Sequence, residues 1–600
     1  MKKLLLMLFT ATLIFAAVLM TNTDASSIIP EAYAAEIIES GTCGDNITWE
    51  LDNDGTLIVS GSGAMTNYTV DDFTPWRFVT IKKVIVRDGV TTIGDYAFSS
   101  CFDLVEVELP DSLLSIGELA FYYCDLLTDV YLPEGLTVIG ERAFDLCDSL
   151  TAINVHENNS SYSSVDGVLF DKTKSTLLFV PAGKNLTAYT IPESVEVIGD
   201  YAFRNNRSLV TVNFPENLKE IGAYSFHRCN MLSELNLPEG MTAIGNSAFA
   251  ECTLLETVEL PDSLENISES MFSCCYNLIS IDLPDNLKDI SDNAFDSCYS
   301  VSEIRMPEGL LSIGNYAFRN CVSLPLLKLP VSLISIGEYA FFDCDMFTEI
   351  AIPVNVEFIG KNAFWGCDLL EAVNVDADNQ SFMSENGILF NKERTVLVYY
   401  PKGKTSAVYT VPECVKVIGD YAFAVNDTLS EIFLPEELTA IGDYSFYYCS
   451  ALEAIELPVL LTEIPEGAFA NCELFTVISI PENVSSIGWS AFSGCNSLRE
   501  IYFPNCLTEI GEAAFESCTA LSDVYFNGTK EQWNEVYLCN RNDYLLDANS
   551  HFEIESTFPS ENCDHICHKT GFLGFIWKII NFFGKLFGMN PVCECGATHY

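Results

Sequence analysis

Six hundred residues carry 84 acidic against 30 basic side chains, a formal net charge of −54, with 49% of the residues apolar. Such a field repels nucleic acid and anionic lipid and favours cations, cationic partners or neutral sugars. Forty Phe and 26 Tyr argue for a packed chain rather than an acidic disordered one, and 23 Cys against six His make the thiols the first place to look for chemistry.

At the start of the chain, Lys2 and Lys3 precede an uncharged apolar run from Leu4 to Met20. A polar stretch then ends in Ala32-Tyr33-Ala34, the small-x-small pattern that signal peptidase needs. Residues 1–34 are expected to be a secretory signal. The alternative, an uncleaved anchoring helix, sits less well with so short an apolar run. Residues 35–90 form the next block.

From residue 91 to residue 526 one pattern organises the chain. An Ile followed five residues later by Phe occurs sixteen times, from Ile93/Phe98 to Ile510/Phe515. A proline is a second marker, as in "ELPDSL" (Pro110) and "YLPEGL" (Pro133), at a spacing of 23 residues, except for gaps of 59 from Pro133 to Pro192 and from Pro353 to Pro412. The unit reads L-x-x-V-x-L-P-x-x-L-x-x-I-G-x-x-A-F-x-x-C, with a strand at V-x-L where apolar and polar residues alternate. Proline ends that strand, and the glycine after Ile is expected to supply a tight corner, with Ser268, Ser291 and Pro465 as exceptions. So short a unit cannot bury its own apolar face, so neighbouring units must stack into a coil of in-register parallel strands, with the Phe inside.

Three residues after the Phe stands a Cys in fourteen of the sixteen copies, from Cys101 to Cys518, replaced by Asn206 and Asn426 in the other two. Exchange of Cys with Asn suits an interior corner, where Asn hydrogen-bonds turn backbone and Cys is a small buried group with a weak S–H donor. Free buried thiols are favoured over bridges, because parallel side chains on stacked coils hold Cβ atoms near the strand spacing, wider than a disulfide prefers.

"LPEGLTVIGERAFDLC" and its copies resemble the BspA-like class of bacterial leucine-rich repeats, over about residues 90–526. "CGDNITWELDNDGTLIVSGSGAM" (Cys43–Met65) resembles the N-terminal cap of such arrays, and "YFNGTKEQWNEV" (Tyr525–Val536) their C-terminal cap, assigned to residues 527–560. The resemblance implies a β-rich solenoid, a right-handed leucine-rich repeat superhelix with a parallel β-sheet, and loosely surface binding or adhesion, with no reaction implied.

The two long gaps are insertions of 36 residues, at about 156–191 and 376–411. "SVDGVLFDKTKSTLLFVPAGK" (Ser164–Lys184) and "SENGILFNKERTVLVYYPKGK" (Ser384–Lys404) each read as a β-hairpin with a charged turn, closed by Pro181 or Pro401. Their recurrence fits duplication of a 220-residue block.

Outward strand positions flank the inward Val or Ile. They are Glu106, Glu108, Asp129, Tyr131, Glu234, Glu259, Asp282, Glu303, Glu349, Glu431, Phe433, Glu456, Glu500, Tyr502, Asp523 and Tyr525, with Arg305 and Lys328 the bases among them. Such a face can receive a basic protein segment, calcium, or a sugar stacked on a ring; equally, these are solvated strand residues. Rows of exposed acids lack the differing environments that separate a catalytic acid from a base. His156 and His227 stand isolated in the sequence, so the array offers no nucleophile with a base.

The last segment, 561–600, changes composition. Cys563, His565, Cys567 and His568 precede a greasy stretch, and Cys593, Cys595 and His599 follow it. These ligand types suit a tetrahedral zinc site, while disulfides are the alternative after export. Between them, Gly571, Gly574, Lys578, Asn581, Lys585 and Gly588 form a narrow polar seam on an otherwise apolar helix. A helix over 571–589 suits a membrane or envelope interface, burial in a partner, a glycine-packed span, or packing on the end coil.

Signal, caps, coils and tail use up the chain, leaving no room for a catalytic domain. The leading reading is a secreted or cell-surface, non-enzymatic protein that binds a protein or glycan ligand, in a host, a neighbouring cell or matrix, through its solenoid face. The alternative is a structural envelope component assembled or anchored through its tail. No cofactor is expected in the array.

Overall fold

The computed structural model describes residues 36–553, so the expected signal segment and the tail with its Cys/His clusters and helix lie outside the described residues. The described chain forms two compact units, one running to Leu264 and including Ser268–Leu278, the other comprising Glu265–Ile267 and the residues from Ile279 on. Each unit is a stretch of parallel β-solenoid built from the 23-residue coil.

The alternation in V-x-L becomes a strand with one side buried. In the first unit, Asp129 and Tyr131 are exposed while Val130 and Leu132 are buried, and Asp129–Leu132 pairs in register with Ala152–Val155. In the second, Ser280–Asp282 pairs with Glu303–Arg305, and Glu500–Phe503 with Asp523–Phe526. A second ladder, not evident in the sequence, consists of two-residue strands ending on the consensus Ile, such as Ser312–Ile313 against Ser335–Ile336. Two residues are too few for an alternation to register as a period.

The corner after Ile works differently from the sequence expectation. The glycine there has no left-handed backbone; it is needed because the coils nearly touch. A Cβ on Gly117 would lie 2.5 Å from Asp95 N, and one on Gly337 2.5 Å from Asn315 N. The left-handed positions are the second residue before and the second after each Phe, for example Tyr96 (φ 55°) and Ser100 (φ 60°), or Tyr316 (φ 56°) and Asn320 (φ 60°). A non-glycine residue there costs about 1–2 kcal/mol, offset because alternate N–H groups then point at the next coil. Tyr96 N donates to Glu118 O (2.9 Å), Phe98 N to Ala120 O (2.8 Å) and Ser100 N to Tyr122 O (2.7 Å).

Inside this corner the Phe rings stack in a column. Centroids are 5.3 Å apart for Phe98/Phe121 in the first unit and 5.2 Å for Phe295/Phe318 in the second. Each ring is fully buried, worth about 1.5–3 kcal/mol in transfer free energy. In the first unit Trp76 stacks on Phe98 (5.6 Å) and donates Nε1–H to Ala97 O (2.9 Å). In the second, Asn542 Oδ1 accepts from Phe515 N (3.0 Å), and a short helix, Lys530–Trp533, carries a Thr529/Gln532 capping box and stacks Trp533 on Phe503 (5.7 Å).

The corner cysteines are scaffold. All but Cys101 are buried, and twelve aim Sγ at the Phe carbonyl of the preceding coil, 3.1–3.3 Å away, from Cys124 on Phe98 O to Cys518 on Phe492 O. Burial pushes the Cys252 and Cys518 thiols up to about 12, so they stay protonated and unreactive at neutral pH. Asn206 replaces the S–H with Nδ2 donation to Val180 O (3.0 Å) and Phe203 O (3.1 Å). Asn426 uses its Oδ1 to accept from Leu429 N (2.8 Å).

Each insertion contributes antiparallel strands whose last member joins the parallel stack. Tyr162–Val165 pairs with Val168–Asp171, which pairs with Thr176–Phe179, and Thr176–Phe179 lies parallel to Val197–Ile198. The same register recurs with Phe382–Glu385, Ile388–Asn391, Val396–Tyr399 and Val417–Ile418.

Candidate binding surfaces

The strand face is acidic on its outward side, as the alternation requires. Asp129, Glu234, Glu259, Asp282, Glu303, Glu349 and Glu456 are exposed, and Tyr131 is half exposed with its ring edge-on to His156 at 6.4 Å. Glu431, Phe433 and Glu500 are half-buried. Some acids have cations that sequence reasoning did not place: Lys83, on the strand Lys83–Val86, reaches Glu106 at 3.0 Å and Glu108 at 2.5 Å. Their hydrogen bonds, Glu108 first, hold the Lys83 ammonium above its ordinary value. Arg305 pairs with Asp285 at 2.9 Å, and Lys328 lies 3.9 Å from Glu308.

Near the C-terminal end of the second unit, register turns outward residues into a ring ladder. Tyr502, Tyr525 and His551 occupy equivalent positions on adjacent strands. Their rings stack at 4.4 Å and 4.6 Å, beside a Tyr502 hydroxyl that donates to Glu500 (3.0 Å). His551 Nε2 lies 2.8 Å from Asp523 Oδ1, and this hydrogen bond holds the Asp523 carboxyl below its ordinary range. His551 was absent from the sequence candidates because its strand, Asn549–Phe552, follows the last repeat; only its pairing with Asp523–Phe526 reveals it.

His227 is not isolated, contrary to the sequence reading. Its Nε2 lies 3.4 Å from Glu251 Oε1, and Arg228 holds the same carboxylate through Nε at 2.8 Å. Asp145, 3% exposed, accepts from Arg142 Nε at 2.9 Å and from Arg204. Burial pushes the His227 imidazole down to about 4, aided by Arg204 and Arg228 against the pull of Glu251. Asp145 and Arg204 are 59 residues apart, so the cluster becomes visible only once the insertion is looped out. Its partners are charges rather than a nucleophile; the Ser225 hydroxyl and His227 Nδ1 are buried without a hydrogen-bond partner.

Among the described residues, no three His, Cys, Asp or Glu side chains are grouped to hold a metal ion, and no helix is long and apolar enough to cross a membrane. The residues proposed for zinc, Cys563 to His599, lie outside the described residues.

Several solved structures resemble this chain. A leucine-rich repeat protein from Eubacterium ventriosum is 26% identical, with 51% of this chain and 95% of that one covered and a TM-score of 0.43. A leucine rich cell surface protein from Faecalibacterium prausnitzii is 24% identical over 84% of this chain and 99% of its own (TM-score 0.34). The pneumococcal vaccine antigen PcpA is 18% identical over 86% and 98% (TM-score 0.33). No curated protein matches the chain. The family model for the BspA type leucine rich repeat region matches residues 76–184, 179–302, 288–391 and 405–542. With its sixteen Phe corners, fourteen of them carrying Cys, folded as parallel coils, the chain belongs to the BspA-type leucine-rich repeat family.

Proposed function

We propose that this chain is a secreted or cell-surface binding protein whose outward strand face adheres to a cationic segment of a host, neighbouring-cell or matrix protein. The observation that carries this reading is the row of exposed carboxylates on strands whose other side is fully occupied by packing. Glu234 and Glu259 face out of adjacent strands around buried Leu235 and Val258, and Glu303 does so around Ile304. The frame fixes the inward residues and leaves the outward ones free for recognition. The protein acts as a scaffold rather than a catalyst: its corner thiols, all but Cys101, are buried, and His227 is locked among charges.

The test is capture from solubilised host-cell surface and matrix fractions by the full chain, against a variant carrying Glu234→Gln, Glu259→Gln, Glu303→Gln and Glu349→Gln. Capture that weakens in the variant and falls steeply with salt supports the reading; equal capture by both overturns it. Deleting residues 561–600 separates the alternative role in the envelope, since a binding protein retains its ligand without the tail and a structural component has none to retain.

A further inference from the structure

The insertions leave a gap in the corner of the solenoid. In an ordinary coil the corner N–H groups reach the next corner, as Tyr339 N does to Lys361 O (3.0 Å) and Asp343 N to Trp365 O (2.9 Å). Beyond this corner, after the strand Ala372–Val375, the chain enters the insertion. Its strand Val396–Tyr399 continues the ladder of short strands, but at the corner it brings only Tyr400, whose N–H reaches Ala422 O (2.8 Å). A notch therefore opens between the corner at 361–366 and the one at 419–424.

The two copies of this notch are filled differently. In the first unit it holds the ion-pair cluster of Arg142, Asp145 and Arg204. In the second, 220 residues on, the same positions are Asn362, Trp365 and Ala424, and the notch is a cavity of about 150 Å³. Its floor is Ile359, Leu389, Val396 and Val398. One wall is Trp365, whose ring also meets Tyr421 (centroids 5.3 Å apart, tilted 38°), Phe342 edge-on (5.3 Å), Tyr339 (6.1 Å) and Tyr447 (6.3 Å). At the rim, Lys361 Nζ and Asp420 Oδ2 pair at 2.6 Å, with the lysine 62% exposed. Asn362 Oδ1 also lines the cavity, buried and without a hydrogen-bond partner.

We propose that this notch is a glycan-binding subsite that takes one pyranose residue, its ring face on Trp365 and its hydroxyls on Lys361, Asp420 and Asn362. An aromatic face offers an apolar platform to the C–H side of a sugar ring, and the paired ammonium and carboxylate offer donor and acceptor side by side for adjacent hydroxyls. A hydroxyl donating to Asn362 Oδ1 removes the cost of a buried orphan acceptor. A cationic ligand must compete with Lys361, which already pairs with Asp420. An apolar ligand leaves the rim and Asn362 unsatisfied. This site is separate from the acidic strand face and does not depend on it.

The test is binding of fluorescently labelled full-length protein to an array of immobilised mammalian and bacterial glycans that also bears choline and lysine spots. The expected result is retention on a set of glycans sharing one terminal pyranose. Retention should weaken at least about tenfold, about 1.4 kcal/mol, in Trp365→Ala and in Asp420→Asn, the latter leaving the apolar packing in place. It should survive in part in Trp365→Phe and be unchanged in Arg204→Ala. The proposal is overturned if no glycan is retained, if retention is the same in Trp365→Ala and Asp420→Asn as in the parent, or if only the choline and lysine spots bind.

Discussion

Acidification should loosen the first unit through His227. The imidazole is brought from 6.5 to about 4, worth on the order of 3 kcal/mol. The depressed value means that the unfolded chain takes up a proton between these limits while the folded chain does not. Stability is therefore intact above about 6.5, falls as pH drops, and has lost on the order of 2 kcal/mol by pH 4.5. The groups facing His227 are Glu251, Arg204, Arg228, Asp145 and the Tyr224 ring edge at 5.7 Å. Glu251, held below its ordinary 4.5 by Arg228 and His227 against the effect of its burial, adds its own loss only at lower pH. Hydrogen exchange of peptides spanning Phe203–Cys229, corrected for intrinsic rates, measures the local opening free energy between pH 7.5 and 4.5. The parent should lose protection across that window, and His227→Gln should lose much less. Equal slopes in the two proteins would refute the burial argument.

Other consequences follow from packing and charge. Phe318→Ala removes a fully buried ring stacked 5.6 Å from Phe341, so it should cost about 3–5 kcal/mol and lower the urea midpoint of the second unit. Asp145→Ala leaves Arg142 and Arg204 without their carboxylate, an expected loss of about 3–5 kcal/mol in the same measurement on the first unit. Gly337→Ala drives a Cβ to 2.5 Å from Asn315 N and should abolish the cooperative melt by circular dichroism. Gly240→Ala, at φ +86° with nothing within 4 Å, should cost only about 1–2 kcal/mol. Asp343 lies at about 6, raised by burial and by Asp345 and Asp368. A raised carboxyl weakens the fold as pH rises through that window, so Asp343→Asn should stabilise the protein at pH 7 by about 1 kcal/mol after solvent screening, with no gain at pH 3.5.

The repeat was legible in the sequence because burial acts on the same positions in every coil: Ile116, Phe121 and Cys124 are all fully buried, as are Ile487, Phe492 and Cys495. The corner backbone was not legible. Left-handed residues are ordinarily sought at Gly or Asn, and here they fall on Tyr421 and Tyr444 (φ 54° and 53°), because the ladder of inter-coil N–H bonds overrides the local preference. Glycine was recognised at the right position with the wrong cause, close approach taking the place of a turn. The charged cluster and the notch escaped notice because a 36-residue insertion separates their halves. The outward acids were read correctly as strand positions, but which of them meet a cation depends on Lys83 and His551, which belong to strands outside the repeat.

The central claim is that the corner sulfurs are internal framework, leaving recognition to the outside of the coils, and cysteine labelling tests it most directly. Peptide mass spectrometry after alkylation of the unreduced protein, native and then in guanidinium, should find the buried corner thiols from Cys124 to Cys518 unmodified in the folded chain and all modified once it is unfolded. Rapid labelling of these positions in the native protein, or disulfide-linked peptides among them, would contradict the account.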